Sequence, residues 1–364
     1  MKPILTYLKD LFTYKKDGRG KAHLNGLAKA DNLLQSLIKE KKIPGLAITV
    51  LKEGETIFQK GYGYANLESK IEIDPESTIF RIASISKNIA ATALAIMVKE
   101  EVIDLNTSFY NYVPYFPKKK HDFTIRQLAG HTAGIRGYRG KEYALNKPYS
   151  IKDSLEIFKN DDLLFEPGTN YHYNSYDWVL ISLAMQEASG IPFEEYVKQK
   201  VLNPLGMHNT ISEREPLRTV PFGRQGRMDF ALFYSKNNLG FRKAIPVNNF
   251  FKLAGGGYLS TSSDIAKFGQ AILNKEILDE ELLSQFITSE IIEGERTYYG
   301  LGWQVSEDKK ERTFYGHIGN GVGGYSNFFI YPEKEMVFTI LVNCTNPEIQ
   351  DELDLVIDSV LNFS

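Results

Sequence analysis

Apolar and polar positions divide this chain into two strand-bearing ends and a helical middle. Leu24, Leu27, Leu34, Leu37 and Ile38 recur at helical spacing, which predicts an amphipathic helix over Lys21 to Lys42, closed by Pro44-Gly45. Leu46 to Leu51 and Thr56 to Tyr64 read as strands around Glu53-Gly54, a hairpin signal. A polar loop with Asp74-Pro75 leads to Ser84 and the apolar run Ile89 to Val98, expected as one helix. From Leu105 to Phe250 alternation is scarce, and helices are predicted over Asp177 to Ala188 and Phe193 to Leu202. After Gly255-Gly256-Gly257, Thr261-Ser262-Ser263-Asp264 has the form of a capping box before a helix over Ile265 to Leu273. Strand-like runs follow at Gly300 to Val305, Thr313 to Ile318 and Tyr325 to Asn343, the last turning at Pro332-Glu333-Lys334. Glu348 to Leu361 predicts a closing helix.

Short turns between the terminal strands suit antiparallel pairing. The expected fold is therefore α/β in the α+β sense: an antiparallel sheet flanked by helices and built from both chain ends. Residues 1–75 and 251–364 would form the sheet domain, with a mainly helical domain, 76–250, inserted between them. The cleft between two such domains is a common place for a site, and Ser84 lies where the chain crosses from one to the other.

Composition narrows the function classes. A net charge of −2 gives no reason to expect a nucleic acid or an anionic membrane as partner. The longest apolar run is far too short to span a bilayer. Met1-Lys2-Pro3-Ile4-Leu5 lacks the apolar core of a signal peptide, so a cytoplasmic protein is expected; an exported form with its signal trimmed would read the same. The single Cys344 excludes an internal disulfide. The six histidines are scattered without ligand spacing, so no metal and no cofactor are expected. The expected partner is a small-molecule or peptide substrate, and a homo-oligomer is left open.

The chemistry begins at Ser84-Ile85-Ser86-Lys87. A hydroxyl and an amine three residues apart lie on one helix face. A serine becomes a nucleophile when a base takes its proton. A desolvated lysine near a helix N-terminus is pushed toward the neutral amine that can be that base. Spacing alone does not select this pair, because it recurs at Ser36–Lys39 and Ser306–Lys309.

Two further segments add weight. Pro167-Gly168-Thr169-Asn170-Tyr171-His172-Tyr173-Asn174-Ser175 precedes a helix, and Gly316-His317-Ile318-Gly319-Asn320-Gly321 ends a strand. With Ser84-x-x-Lys87 they resemble the three motifs of the serine penicillin-recognising superfamily: Ser-x-x-Lys, Tyr-x-Asn or its Ser and Thr forms, and Lys-Thr-Gly or His-x-Gly. That superfamily holds class C beta-lactamases, DD-peptidases, D-aminopeptidases and esterases. The resemblance runs from about Ile43 to Asn343 and takes in Leu128 to Ile135 and Ala254 to Thr261. It is nearest in wording to the serine beta-lactamase-like branch and its bacterial relatives.

The resemblance implies a serine hydrolase working through an acyl-enzyme. Ser84 would be the nucleophile, and Lys87 and Tyr173 the candidate bases, the choice between them staying open; Tyr171 takes the place of Tyr173 if the register slips by two. It places oxyanion donors at the backbone N–H groups of Ser84 and Asn320, beside Ser175 and His317 in the substrate site. Gly319 and Gly321 would let the strand edge approach the substrate. His131 reads as a loop organiser, and Gly255 to Gly257 as a turn rather than a phosphate cradle.

Two departures bear on substrate. His317 stands where beta-lactamases of classes A and C carry lysine, and a mostly neutral imidazole is a weaker anchor for a carboxylate. Ser175 replaces an amide with a smaller hydroxyl. Ester or peptide-like amide hydrolysis with weak or no lactamase activity is therefore expected. The alternatives are a true class C-like beta-lactamase or a D-amino-acid-specific peptidase. From another class come a binding or sensing protein without turnover and a self-assembling scaffold.

Overall fold

The computed structural model describes residues 26–213 and 229–362. The first turn of the expected N-terminal helix and Met1 to Leu5, on which the expectation about compartment rests, lie outside them. Helix α1 covers Gly26–Lys39 and is followed by strands β1 (Gly45–Lys52), β2 (Glu55–Asn66), β3 (Ile71–Glu72) and β4 (Thr78–Arg81). A single 3₁₀ turn, Ala83–Ile85, leads into α2 (Ser86–Lys99). The middle of the chain carries α3 (Tyr176–Ser189). Then come β5 (Tyr258–Ser260), α4 (Ser262–Leu273), β6 (Gln304–Glu307), β7 (Thr313–Gly321), β8 (Gly324–Tyr331), β9 (Met336–Val342) and α5 (Gln350–Leu361).

The main sheet has the order β6-β7-β8-β9-β1-β2-β3 with antiparallel neighbours throughout. The two chain ends meet where β1 pairs β9, with Leu46 opposite Val342 and Lys52 opposite Met336. Period-two alternation sends Leu46, Ile48 and Val50 into the core under α1 and α5. Ala47 and Leu51 point into the larger core shared with α2, α3 and α4. Because both faces are covered, every residue of β9 is buried.

The expected Ser84 helix begins two residues late, at Ser86, and Ser84 itself sits in the 3₁₀ turn. Regular helix after Phe193 stops at Val197, and Lys198–Leu202 continue as a wider π turn. Gly300 to Trp303 form a turn instead of starting a strand. Gly302 adopts φ 82°, and a Cβ there would lie 2.6–2.7 Å from Trp178 and Ala91. The capping box at Thr261 is half formed: Thr261 accepts the Asp264 N–H at 3.1 Å. The Asp264 carboxylate turns instead to the Asn209 N–H and the Thr210 hydroxyl.

The middle also holds short strands at Ile211–Ser212, Asp229–Phe230, Tyr234–Asn237 and Gly240–Lys243, too brief to show a period in sequence. The first two flank β4 and β5 in a small second sheet, in which Phe80 pairs Ser260. Among the described residues no helix is long and apolar enough to cross a membrane.

Candidate active site

The site begins at the turn that joins β4 to α2. Ala83 has φ 45°, a left-handed conformation that costs an L-residue roughly 1–2 kcal/mol. Neighbours hold it there. The Ser326 hydroxyl donates to the Ile82 carbonyl at 2.8 Å, and the Ser86 hydroxyl accepts the Tyr258 N–H at 3.1 Å. The turn leaves Ser84 partly exposed on the cleft, while Lys87, one turn further, is fully buried.

Lys87 Nζ donates to the Gly255 carbonyl at 2.6 Å and lies 3.2 Å from Ser84 Oγ. The Tyr173 hydroxyl donates to the same Ser84 Oγ at 2.8 Å. It is Tyr173, not Tyr171, that reaches the serine. Burial pulls the proton affinity of Lys87 down to about 7; Asp177 opposes that pull and Lys252 adds to it. Burial pushes the Tyr173 hydroxyl well above its ordinary value, so it stays protonated near neutral pH. One hydroxyl is thus held between a donor and an amine close to its midpoint.

The third motif lies on β7. His317 is fully buried, and its Nδ1 is 2.7 Å from the Ile318 carbonyl. A carbonyl only accepts, so Nδ1 carries the hydrogen and Nε2 accepts from the Tyr299 hydroxyl at 3.0 Å. Burial lowers His317 to about 3, with Lys87 pushing the same way and the Ile318 carbonyl opposing, so the ring is neutral. Both ring nitrogens are engaged within the protein.

The Ile318 N–H donates to Gln304 Oε1, toward the β6 side of β7. Strand alternation aims the Asn320 N–H at the same edge, past the last β6–β7 pair at Gly316. A Cβ on Gly319 would lie 2.5 Å from the Ile82 carbonyl and 3.1 Å from Ala83 Cβ, so only glycine lets β7 lie against the nucleophile turn. A cavity of about 390 Å³ opens here, lined near the serine by Ser84, Tyr171, Tyr173, Tyr299, His317 and Asn320. Ser175 does not line it; it immediately precedes α3 without a capping bond from its side chain, and its hydroxyl lies against Tyr138.

Four contributors had no readable signal in sequence. The Gly255 carbonyl anchors Lys87, yet a glycine run announces only a turn. Tyr299 is one tyrosine among 21. Asp177 and Lys252 act on Lys87 from the interior. His131 does organise its loop: its Nδ1 meets Asp177 Oδ2 at 2.7 Å, and its carbonyl accepts the His172 N–H at 2.9 Å. Among the described residues no cluster of His, Cys, Asp or Glu could hold a metal ion.

The family model described as beta-lactamase matches residues 30–362. The chain belongs to the beta-lactamase family. Within it, the chain is 27% identical to "Serine beta-lactamase-like protein LACTB, mitochondrial" of Homo sapiens, over 83% of this chain and 71% of that protein. The octameric penicillin-binding protein homologue from Pyrococcus abyssi superposes with a TM-score of 0.76 at 24% identity, covering 91% of this chain and 76% of that one. D-amino acid amidase from Ochrobactrum anthropi SV3 superposes with a TM-score of 0.80 at 21% identity, covering 93% and 99%. These two structures share the fold. The chain is a beta-lactamase-like serine hydrolase.

Proposed function

We propose that this hydrolase cleaves uncharged ester or peptide-like amide substrates, with Ser84 as nucleophile and Lys87 as its base. The observation that carries the reading is the chain Tyr173 O–H to Ser84 Oγ to Lys87 Nζ to the Gly255 carbonyl. Near neutral pH a substantial fraction of Lys87 is the free amine, so it takes the serine proton as Oγ attacks the carbonyl carbon. The N–H groups of Ser84 and Asn320 receive the oxyanion, each worth a factor of roughly 100–1,000. Lys87 returns the proton to the leaving oxygen or nitrogen through the Tyr173 hydroxyl. Water then enters by the reverse path and frees Ser84 from the acyl group. In this reading residues 76–250 form the helical wall of the cleft and the two chain-end segments the sheet wall, as the sequence leads one to expect.

The state of His317 argues for an uncharged substrate. Neutral, and with both nitrogens engaged, it offers no cation to a substrate carboxylate where the lactamases of classes A and C have lysine. Slow turnover of penicillins and cephalosporins follows. The octameric state of the Pyrococcus abyssi homologue supports a parallel reading that this chain self-associates.

Intact-mass spectrometry after a fluorophosphonate and, separately, a p-nitrophenyl ester tests the reading on wild type and Ser84→Ala. The expected result is one adduct and ester turnover, both absent in Ser84→Ala. An adduct that persists in the variant moves the nucleophile elsewhere, and penicillin hydrolysis at the rate of a dedicated lactamase overturns the substrate assignment.

A further inference from the structure

The cavity that opens at Ser84 does not end there. It runs on between β7 and α5, along the sheet face that α1 and α5 cover. Phe314, Gly316, Ile318 and Asn320 alternate onto that face of β7, a length of about 20 Å at roughly 3.3 Å per residue. Ser306 and Gln304 of β6 stand opposite Phe314 and Gly316, and Phe329 and Asn327 of β8 opposite Gly316 and Ile318. The Phe314 ring packs on Phe329 and Tyr331, with centroids 4.9 and 5.5 Å apart, so the far half of the floor is aromatic. Gly316 puts no side chain over it.

Helix α5 forms the opposite wall. It starts at Gln350, whose Oε1 accepts from Asn327 Nδ2 at 3.1 Å, level with Ile318. It passes Asp358, whose Oδ1 accepts from Arg312 Nη2 at 2.8 Å, level with the start of β7. Leu355, between the two, lines the groove. The ionic groups at the far end are engaged with one another: Arg312 with Asp308 at 2.6 Å and Asp358 at 2.8 Å, and Lys310 with Asp358 at 2.8 Å. Asp354 gives Oδ1 to Gln350 Nε2 at 2.7 Å, and its Oδ2 is buried. Lys309 and Asp351 are exposed and lie at the rim. The floor between these groups fits an apolar chain better than a charged one.

The proton path decides which end of a substrate enters. In the reaction proposed above the leaving atom takes its proton from the Tyr173 hydroxyl, so that atom sits beside Tyr173. The Tyr173 ring lies 5.8 Å from the rings of both Tyr299 and His317, and the groove continues from those two. Among the described residues none of β7 beyond Asn320 lines the cavity. The leaving group therefore points into the groove and the acyl group away from it.

We propose that the groove between β7 and α5 is a leaving-group subsite, and that the preferred substrates are esters of long, uncharged, straight-chain alcohols. The proposal deepens the hydrolase reading above and rests on it. Ser84 Oγ bonds to the carbonyl carbon, the bond from that carbon to the alkoxy oxygen breaks, and the alcohol leaves with the proton that Lys87 took from Ser84. Water then displaces Ser84 and releases the acid. Each methylene taken into the groove is worth roughly two- to fourfold in kcat/KM.

The test compares two isomers built of the same atoms, octyl acetate and ethyl octanoate, with ethyl acetate as the short reference. Alcohol and acid released by the full chain are followed by chromatography, below the solubility limit of each ester. The expected kcat/KM for octyl acetate is about 100-fold or more above that for ethyl acetate, with ethyl octanoate close to ethyl acetate. Leu355→Asp sets a carboxylate in the middle of the wall. It is expected to cut the octyl acetate value about tenfold or more and to change the two ethyl esters little. Should Leu355→Asp fail to fold, the comparison of isomers on wild type decides alone. Equal values for the two isomers, a preference for ethyl octanoate, or an undiminished octyl acetate value in folded Leu355→Asp overturns the proposal. If p-nitrophenyl acetate is still hydrolysed in that case, the hydrolase reading stands. A protein that forms no fluorophosphonate adduct and cleaves no ester overturns that reading, and the subsite with it.

Discussion

Replacing Gly319 by alanine tests whether the β7 edge is what completes the site. The new Cβ would lie 2.2 Å from Ser326 Oγ, 2.5 Å from the Ile82 carbonyl and 3.1 Å from Ala83 Cβ. The Ser326 hydroxyl can swing away at the loss of its 2.8 Å bond to Ile82, but the Ile82 carbonyl is backbone and cannot. Reaching an ordinary van der Waals distance from that oxygen requires β7 to lift by about 1 Å, and a misplacement of that size can cost about 100-fold in rate. Loss of the Asn320 donor altogether would cost up to about 1,000-fold, or about 4 kcal/mol. Overpacking adds about 1–3 kcal/mol of lost stability. The assay is kcat and KM for a p-nitrophenyl ester beside a thermal melt, with Gly321→Ala as control. At Gly321 the nearest atom to a new Cβ is Ala83 Cβ at 3.3 Å, so little should change. The expected result is a folded Gly319→Ala protein whose kcat falls about 100-fold or more with a smaller change in KM. Wild-type kcat in Gly319→Ala, or an equal loss in Gly321→Ala, would refute the reasoning.

Two buried ionisable groups give stability predictions of opposite sign. Lys87 falls from 10.5 to about 7 on folding, so between those values the native state binds fewer protons than the unfolded chain, and stability rises with pH. Below about pH 7 the whole cost of burying it is present, on the order of a few kcal/mol. Lys87→Met should therefore abolish turnover and remove the rise of stability with pH between about 7 and 10; differential scanning calorimetry across pH reads the slope. Asp354 rises from 3.8 to about 7, mainly through burial, so its native state binds more protons and stability falls as pH climbs through that window. Asp354→Asn should raise the melting temperature at about pH 8 and leave it unchanged at about pH 4; an equal effect at both values would show that charge is not the cause.

The architecture was legible because its signals are local. The apolar run Leu46 to Leu51 and the turn at Pro332-Glu333-Lys334 mark strands whichever neighbours they acquire. Strands at both ends with helices between them imply an inserted arrangement, and the β1–β9 pairing joins those ends. Short elements escaped: Ile211–Ser212 and Asp229–Phe230 hold too few residues to show a period, and they exist because β4 and β5 offer free edges. The late start of α2 escaped as well, since the left-handed Ala83 is imposed by contacts with β5 and β8 rather than by its own preference.

For the nucleophile and its base, spacing in the sequence determined only which residue types were available at which interval. Ser36–Lys39, Ser84–Lys87 and Ser306–Lys309 are equivalent as strings. Only the tertiary structure separates them. Ser36 bonds the Asn32 carbonyl on an exposed helix, and Ser306 points its hydroxyl along the exposed end of β6. Lys87 alone of the three lysines is removed from water and set between Ser84 and Gly255. Desolvation, the Gly255 carbonyl and the Asp177 charge come from segments far apart in the chain, and a basic amine at neutral pH requires their sum. The same holds for His317. Its identity marks a departure from lysine, but its neutrality depends on burial and on Lys87, and its engagement on Tyr299, whose place beside it only the folded chain decides.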